Sequence, residues 1–407
     1  IDGFELDGAN AAQTDLDDVS NKDKVDFSAI TGSNHVEVDL TNTSTANAIV
    51  TDGSTVDQSN TLRNIENIVG TDNNDILIGN AESNNETNGD TVDYTNVAAN
   101  IKINLADNGS NTAVEVGTDT TNHTIGNIEN ITGSNTGADD LTGNSSVNTI
   151  LGNGGNDTID GADGDDYLDG GAGNNTVSFA SVSSGVNVNL SGSIYNYDSQ
   201  NLAANSAVSV STNTDSTGAN DTDTINNFTN INGSGFSDIL IGDSSGNAIK
   251  GLDGIDVING LGGDDNLDGG AGNDSFIMGA NDGSDTVDGG SGSQDTINYE
   301  SLASNQGLTV TLDTDSSVTV TIANGDNDTI KKVENVTGGA GDDVITGDGL
   351  KNILIGNAGE DIIAGGASAD TIEGGAGADS LRGDSGDDQI IGGTGDDFIR
   401  GGDDNDK

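Results

Sequence analysis

The sequence predicts an all-β protein, a parallel β-solenoid whose repeat blocks alternate with β-rich spacers in four super-repeats. Three observations lead there. From Gly338 the chain reads in nines as GGAGDDVIT, GDGLKNILI, GNAGEDIIA, GGASADTIE, GGAGADSLR, GDSGDDQII and GGTGDDFIR, then GGDDNDK. Strictly alternating segments at 36–40, 101–105, 186–190 and 308–312 recur ahead of such blocks, and period two marks a half-buried strand. The 407 residues contain no proline, which suits uninterrupted hydrogen-bonded ladders.

The nonapeptide dictates its own local structure. Position 1 is Gly in all eight units from Gly338. Position 6 is Asp343, Asp361, Asp370, Asp379, Asp388 and Asp397 in six of the seven complete units, and Asn352 in the other. Position 8 is always aliphatic, from Ile345 to Ile399. Glycine permits a tight turn. The last residues of each unit, with one inward apolar side chain, make a short strand. One unit cannot bury that side chain alone, so units stack and share a core one residue wide. Stacking lines up carboxylates and glycine carbonyls along one edge. These are hard oxygens, of which calcium takes about six to eight.

The unit matches G-G-x-G-x-D-x-U-x and resembles the repeats-in-toxin (RTX) family. The resemblance implies a parallel β-roll holding multiple Ca2+ ions, each between turns two units apart. Position-6 Asp residues and carbonyls of the glycine-rich loops are the implied ligands. In the last array these are the six Asp residues above with Gly338, Gly356, Gly365, Gly374, Gly383 and Gly392. In the earlier blocks they are Asp75, Asp157, Asp166, Asp238, Asp256, Asp265 and Asp274, with Gly152, Gly154 and Gly161. Asn175, Asn247 and Asn352 mark half-occupied or empty positions, and Ala369 and Ala378 remove an oxygen often found at position 5. The plainer reading is a solvated turn Asp capping its own loop. A regular ladder disfavours it, but for the isolated block around Asp75 both readings stand, because a site needs two neighbouring turns.

Composition agrees with a metal-dependent fold. Asp supplies 58 of the 69 acidic residues, against 11 basic ones, for a net charge of −58. Asp is a turn residue and Glu a helix former, so the bias favours loop ligands. With 31% apolar and 3% aromatic residues the chain resembles a disordered one. It is expected to be largely unfolded without metal, with binding and folding a single event. There is no Cys and hence no disulfide or thiol chemistry. No apolar run reaches membrane-spanning length, and the charge disfavours nucleic acid. The first 20 or so residues are acidic and polar, unlike a signal peptide. The start at Ile1 and the stop within a repeat are expected of a fragment or processed product.

In order, residues 1–23 form a lead-in, followed by super-repeats 24–89, 90–173, 174–292 and 293–407, the last ending in the array 338–407. Each opens with an aromatic-bearing strand (Phe27, Tyr94, Phe179, Tyr299), continues with the alternating strand and a variable polar stretch, and closes on a signature. The signatures are NIENI at 64–68 and 127–131, NFTNI at 227–231 and KVENV at 332–336, each running into a nonapeptide block. The spacers are expected to continue the solenoid, with polar insertions such as 41–61 and 191–224 looping out from one face. A small separate sandwich per repeat is the alternative.

The recurrent aromatics read as core. His35 and His123 lie in polar stretches without a second His or any Cys, and read as exposed rather than metal-binding. Tyr195 and Tyr197 fit loop anchoring better than a contact patch. Thr at position 7 (Thr158, Thr176, Thr371) is too interrupted for an ice-binding face. No G-x-S-x-G, H-E-x-x-H or P-loop occurs, and carboxylates this abundant carry no acid/base information. The chain is therefore expected to be no enzyme but a calcium-dependent structural part of a secreted or cell-surface bacterial protein: a surface-layer subunit, filament or adhesin stalk. The resemblance implies type I export unfolded, then folding in millimolar calcium outside. Expected partners are calcium, further copies of the chain in a sheet or filament, and cell-surface polysaccharide. The alternative is the folding and secretion module of a secreted protease, lipase or polysaccharide epimerase.

Overall fold

A computed structural model describes residues 90–105, 112–116, 119–197, 200–209, 221–314 and 316–407, and ahead of residue 90 only strand segments. The described residues hold strands and turns and no helix. The chain divides into two compact units. One comprises Ile1–Ser181 with Asn213–Phe228, the other Val182–Thr212 with Thr229–Lys407.

Within each unit, successive nonapeptides alternate between two parallel ladders. In the second unit Val344, Ile362, Ser380 and Phe398 are in register along one ladder, and Ile353, Thr371 and Gln389 along the other. In the first unit Thr149–Leu151 pairs with Tyr167–Asp169, and Asp140–Thr142 with Thr158–Asp160. Rungs away from the C-terminal end bury one apolar side chain between the ladders: Ile150, Ile159, Leu168, Ile258, Leu354 and Ile372 are 0% exposed, whereas Ile399 is 49% exposed. The fold is the expected parallel β-roll.

The spacers continue the same ladders, so the separate-sandwich alternative is not met. Thr91–Asp93 pairs in parallel with Asn130–Thr132, which pairs with the array strand Thr149–Leu151. Thr296–Asn298 pairs with Asn335–Thr337, which leads to Ile353–Ala358. Tyr94, Phe179 and Tyr299 are buried as expected, and Tyr299 donates to Asp328 Oδ2 at 2.7 Å. Phe27 lies outside the described residues.

The expectation that polar insertions loop out needs correcting. In the fourth super-repeat the insertion supplies Val318–Ile322, antiparallel to Leu308–Thr311 on one side and Asp328–Lys331 on the other. Thr112–Val116 sits likewise between Ile101–Asn104 and Asp119–Gly126. Within 41–61, Asn47–Thr51 pairs antiparallel with His35–Asp39 and Val56–Thr61. The insertions thus add rungs to a ladder. The reason is alternation: Val320 and Ile322 are buried while Thr319 and Thr321 face solvent, so the segment is half-apolar despite its polar composition. Within 191–224, Ser206–Ser209 likewise pairs antiparallel with Val186–Asn189, while Tyr195–Tyr197 and Gln200–Leu202 form their own hairpin. Tyr195 anchors that hairpin by accepting a 2.7 Å hydrogen bond from Asn259 Nδ2.

Candidate metal centre

Parallel stacking two units apart places every position-6 side chain above its counterpart. Each Asp there uses Oδ1 to accept a hydrogen bond from a backbone N–H two units earlier. In the last array Asp361 accepts from Asp343 (2.8 Å), Asp379 from Asp361 (2.9 Å) and Asp397 from Asp379 (3.1 Å). In the other row Asp370 accepts from Asn352 (2.9 Å) and Asp388 from Asp370 (2.8 Å). Asp157, Asp166, Asp256, Asp265 and Asp274 do the same in the earlier arrays, at 2.7–2.9 Å. Asp238 and Asp343 accept from the spacer residues Val186 and Leu308, at 2.8 Å each. All are buried except Asp397, which is half-buried.

The second oxygen is in a different situation. Oδ2 of Asp157, Asp166, Asp256, Asp265, Asp274, Asp361, Asp370, Asp379 and Asp388 is buried without a hydrogen-bond partner. It faces the position-1 glycine of its own turn. A Cβ added at Gly365 would lie 2.5 Å from Asp370 Oδ2 and 2.7 Å from the Gly383 carbonyl. Gly152, Gly161, Gly338, Gly356, Gly374, Gly383 and Gly392 likewise face the carboxylate of their own turn. Gly154 differs, lying over the Asn135 carbonyl instead of a carboxylate. At position 4 the constraint is backbone conformation: Gly272 has φ +147°, and a Cβ there would run into the Gly254 carbonyl.

Oxygens thus converge along each row where side chains are excluded, and burial raises the cost of charging them. Asp157 and Asp370 are pushed up to about 6, Asp361 to about 7, Asp256 to about 8 and Asp166 to about 9. Burial is the main cause in each case, and neighbouring carboxylates, such as Asp223 beside Asp166, add to it. The arrangement fits calcium: hard carboxylate and carbonyl oxygens, no sulfur or imidazole, and buried anionic atoms lacking a partner. Among the described residues no three His, Cys, Asp or Glu side chains gather as one cluster. This follows from the geometry, in which each turn contributes one carboxylate among backbone carbonyls.

The rows also contain residues that reading in nines missed. Asp223, Asp285, Asp295 and Asp328 accept from the N–H of Asp166 (3.0 Å), Asp265 (2.8 Å), Asp274 (2.8 Å) and Asp285 (3.0 Å). Glu129 and Glu334, from the spacer signatures, take the same role toward Asp90 (2.8 Å) and Asp295 (2.9 Å). These turns differ from nine residues in length, which breaks a fixed register. The surviving signal is local: Asp223, Asp285, Asp295 and Asp328 each stand two residues before a buried aliphatic, Ile225, Val287, Ile297 and Ile330. Asp75 and the side chains of His35 and His123 lie outside the described residues.

A family profile describing four copies of the RTX calcium-binding nonapeptide repeat matches residues 142–177, 241–276, 333–349, 347–381 and 382–407. The chain thus carries RTX repeats of this family, and it binds calcium through them. Proteins with these repeats are generally exported. The block around Asp75 lies outside the matched ranges. No curated relative matches the chain. No helix among the described residues is long and apolar enough to cross a membrane.

Proposed function

We propose that calcium ions occupy the two oxygen rows, held by the position-6 carboxylates whose Oδ2 lacks a partner and by glycine-loop carbonyls, and that the chain is a calcium-dependent structural segment of an exported bacterial surface protein. Surface layers, filaments and adhesin stalks all need such a scaffold. One observation supports this most: spacer strands pair into the same ladders as the repeats, so both kinds of segment build one scaffold within each unit. A detachable folding module would have no need of spacers locked into its rungs. Calcium would supply the positive charge that the buried carboxylates lack, and so stabilise turns that otherwise repel.

Limited proteolysis with and without calcium tests the scaffold reading. Arrays and spacers should gain protection together on adding calcium. If protease removes the spacers while calcium-loaded arrays survive, the segments are separate modules and the scaffold reading is wrong. A catalytic domain encoded contiguously with this segment would favour the secreted-enzyme module instead.

A further inference from the structure

Every array after residue 130 opens with the same two turns, and these differ from the Asp-bearing turns that follow; at the end of the first array Asn175 again donates through Nδ2 to a spacer carbonyl, that of Asn227, at 3.1 Å. In the first turn the carboxylate is satisfied at both oxygens by the protein. Asp139 Oδ1 accepts from Ile101 N (2.8 Å) and Ser134 Oγ (3.1 Å), and Oδ2 from Ser134 N (2.7 Å). Asp238 repeats this with Val186 N (2.8 Å), Ser234 Oγ (2.7 Å) and Ser234 N (2.6 Å). Asp343 accepts from Leu308 N (2.8 Å) and Gly339 N (2.9 Å). Unpartnered Oδ2 atoms begin only at the third turn, with Asp157, Asp256 and Asp361.

In the second turn the residue is Asn in all three arrays. Asn148, Asn247 and Asn352 accept through Oδ1 from Asn144 N (2.8 Å), Asp243 N (2.8 Å) and Asp348 N (2.9 Å). Their Nδ2 groups donate to the carbonyls of Glu129, Thr229 and Glu334, each at 2.7 Å. Those carbonyls belong to the spacer signatures. The signature backbone turns through positive φ at Asn127 (50°), Asn227 (58°) and Lys332 (52°), two residues before each carbonyl. A carbonyl therefore faces the side chain, and the amide satisfies it with a donor, without a cation. A carboxylate would set oxygen against oxygen, whereas the amide matches a donor and an acceptor at once. The three amides are at most 3% exposed, so the match is a buried one.

We propose that these two opening turns form a metal-free cap, and that the calcium rows begin at the third turn of each array. The inference rests on the calcium reading above. It removes Asp238 and Asp343 from the expected ligands and assigns Asn247 and Asn352, expected to be half-occupied or empty positions, to the empty class as cap residues. The cap joins array to spacer without a metal ion, giving calcium-dependent turns a template on which to add.

Counting bound calcium by native mass spectrometry on the calcium-loaded protein tests this. Asp343→Asn and Asp238→Asn should bind as many ions as the parent, while Asp361→Asn and Asp256→Asn should bind fewer. Loss of ions in the first pair overturns the cap. An unchanged count in the second pair overturns the calcium rows themselves, and the cap with them. Hydrogen exchange on the parent as calcium is withdrawn guards against variants that fail to fold. The amides of Leu308, Gly339 and Asp348 should stay protected at calcium levels where those of Asp361 and Asp370 have lost protection. Loss together, or in the reverse order, contradicts the cap.

Discussion

A carboxylate with one oxygen hydrogen-bonded and the other buried without a partner favours the protonated form unless a cation is near. Asp157, Asp256, Asp361 and Asp370 are all in this position. Their folded-state values are raised from 3.8 to between about 6 and about 8. A raised carboxyl favours the metal-free fold fully below the unfolded value of about 3.8, and that contribution is lost as pH rises through about 6 to 8. In chelator, β signal in far-UV circular dichroism should therefore be stronger at pH 4 than at pH 8. Equal or weaker signal at pH 4 would show that these carboxylates do not oppose the metal-free fold. The position-6 Asp residues were legible because their spacing is regular. Asp285, Asp295 and Asp328 were not, since their turns have other lengths, and the partner of Asn352 was not, because its acceptor, the Glu334 carbonyl, comes from a rung that only the fold brings near.

At the level of the strand, stability depends on which side chain points inward. Ile362 and Ile363 are neighbours in Ile362–Ala367, yet Ile362 is 55% exposed and Ile363 1%. Ile363→Ala should cost about 2–5 kcal/mol in urea unfolding at saturating calcium, and Ile362→Ala no more than about 0.5 kcal/mol. Similar costs for both would mean that the strand does not hold this face inward. Position 8 of the repeat gave the inward residue directly. The inserted strand Val318–Ile322 was harder to see, because its apolar residues alternate with threonine inside a long polar stretch, and its partners lie on separate rungs.

For the whole molecule, a net charge of −58 and a core one side chain wide leave little to hold the fold without cations. Surface ion pairs such as Lys102–Asp140, with both partners at least half exposed, contribute little. On the proposed reading calcium offsets the repulsion along the rows, which couples binding to folding. Following far-UV circular dichroism while calcium is titrated into the chelated protein at neutral pH tests this most directly. The account predicts a large, cooperative gain in β signal on calcium addition. The same β signal in chelator and in saturating calcium would contradict it.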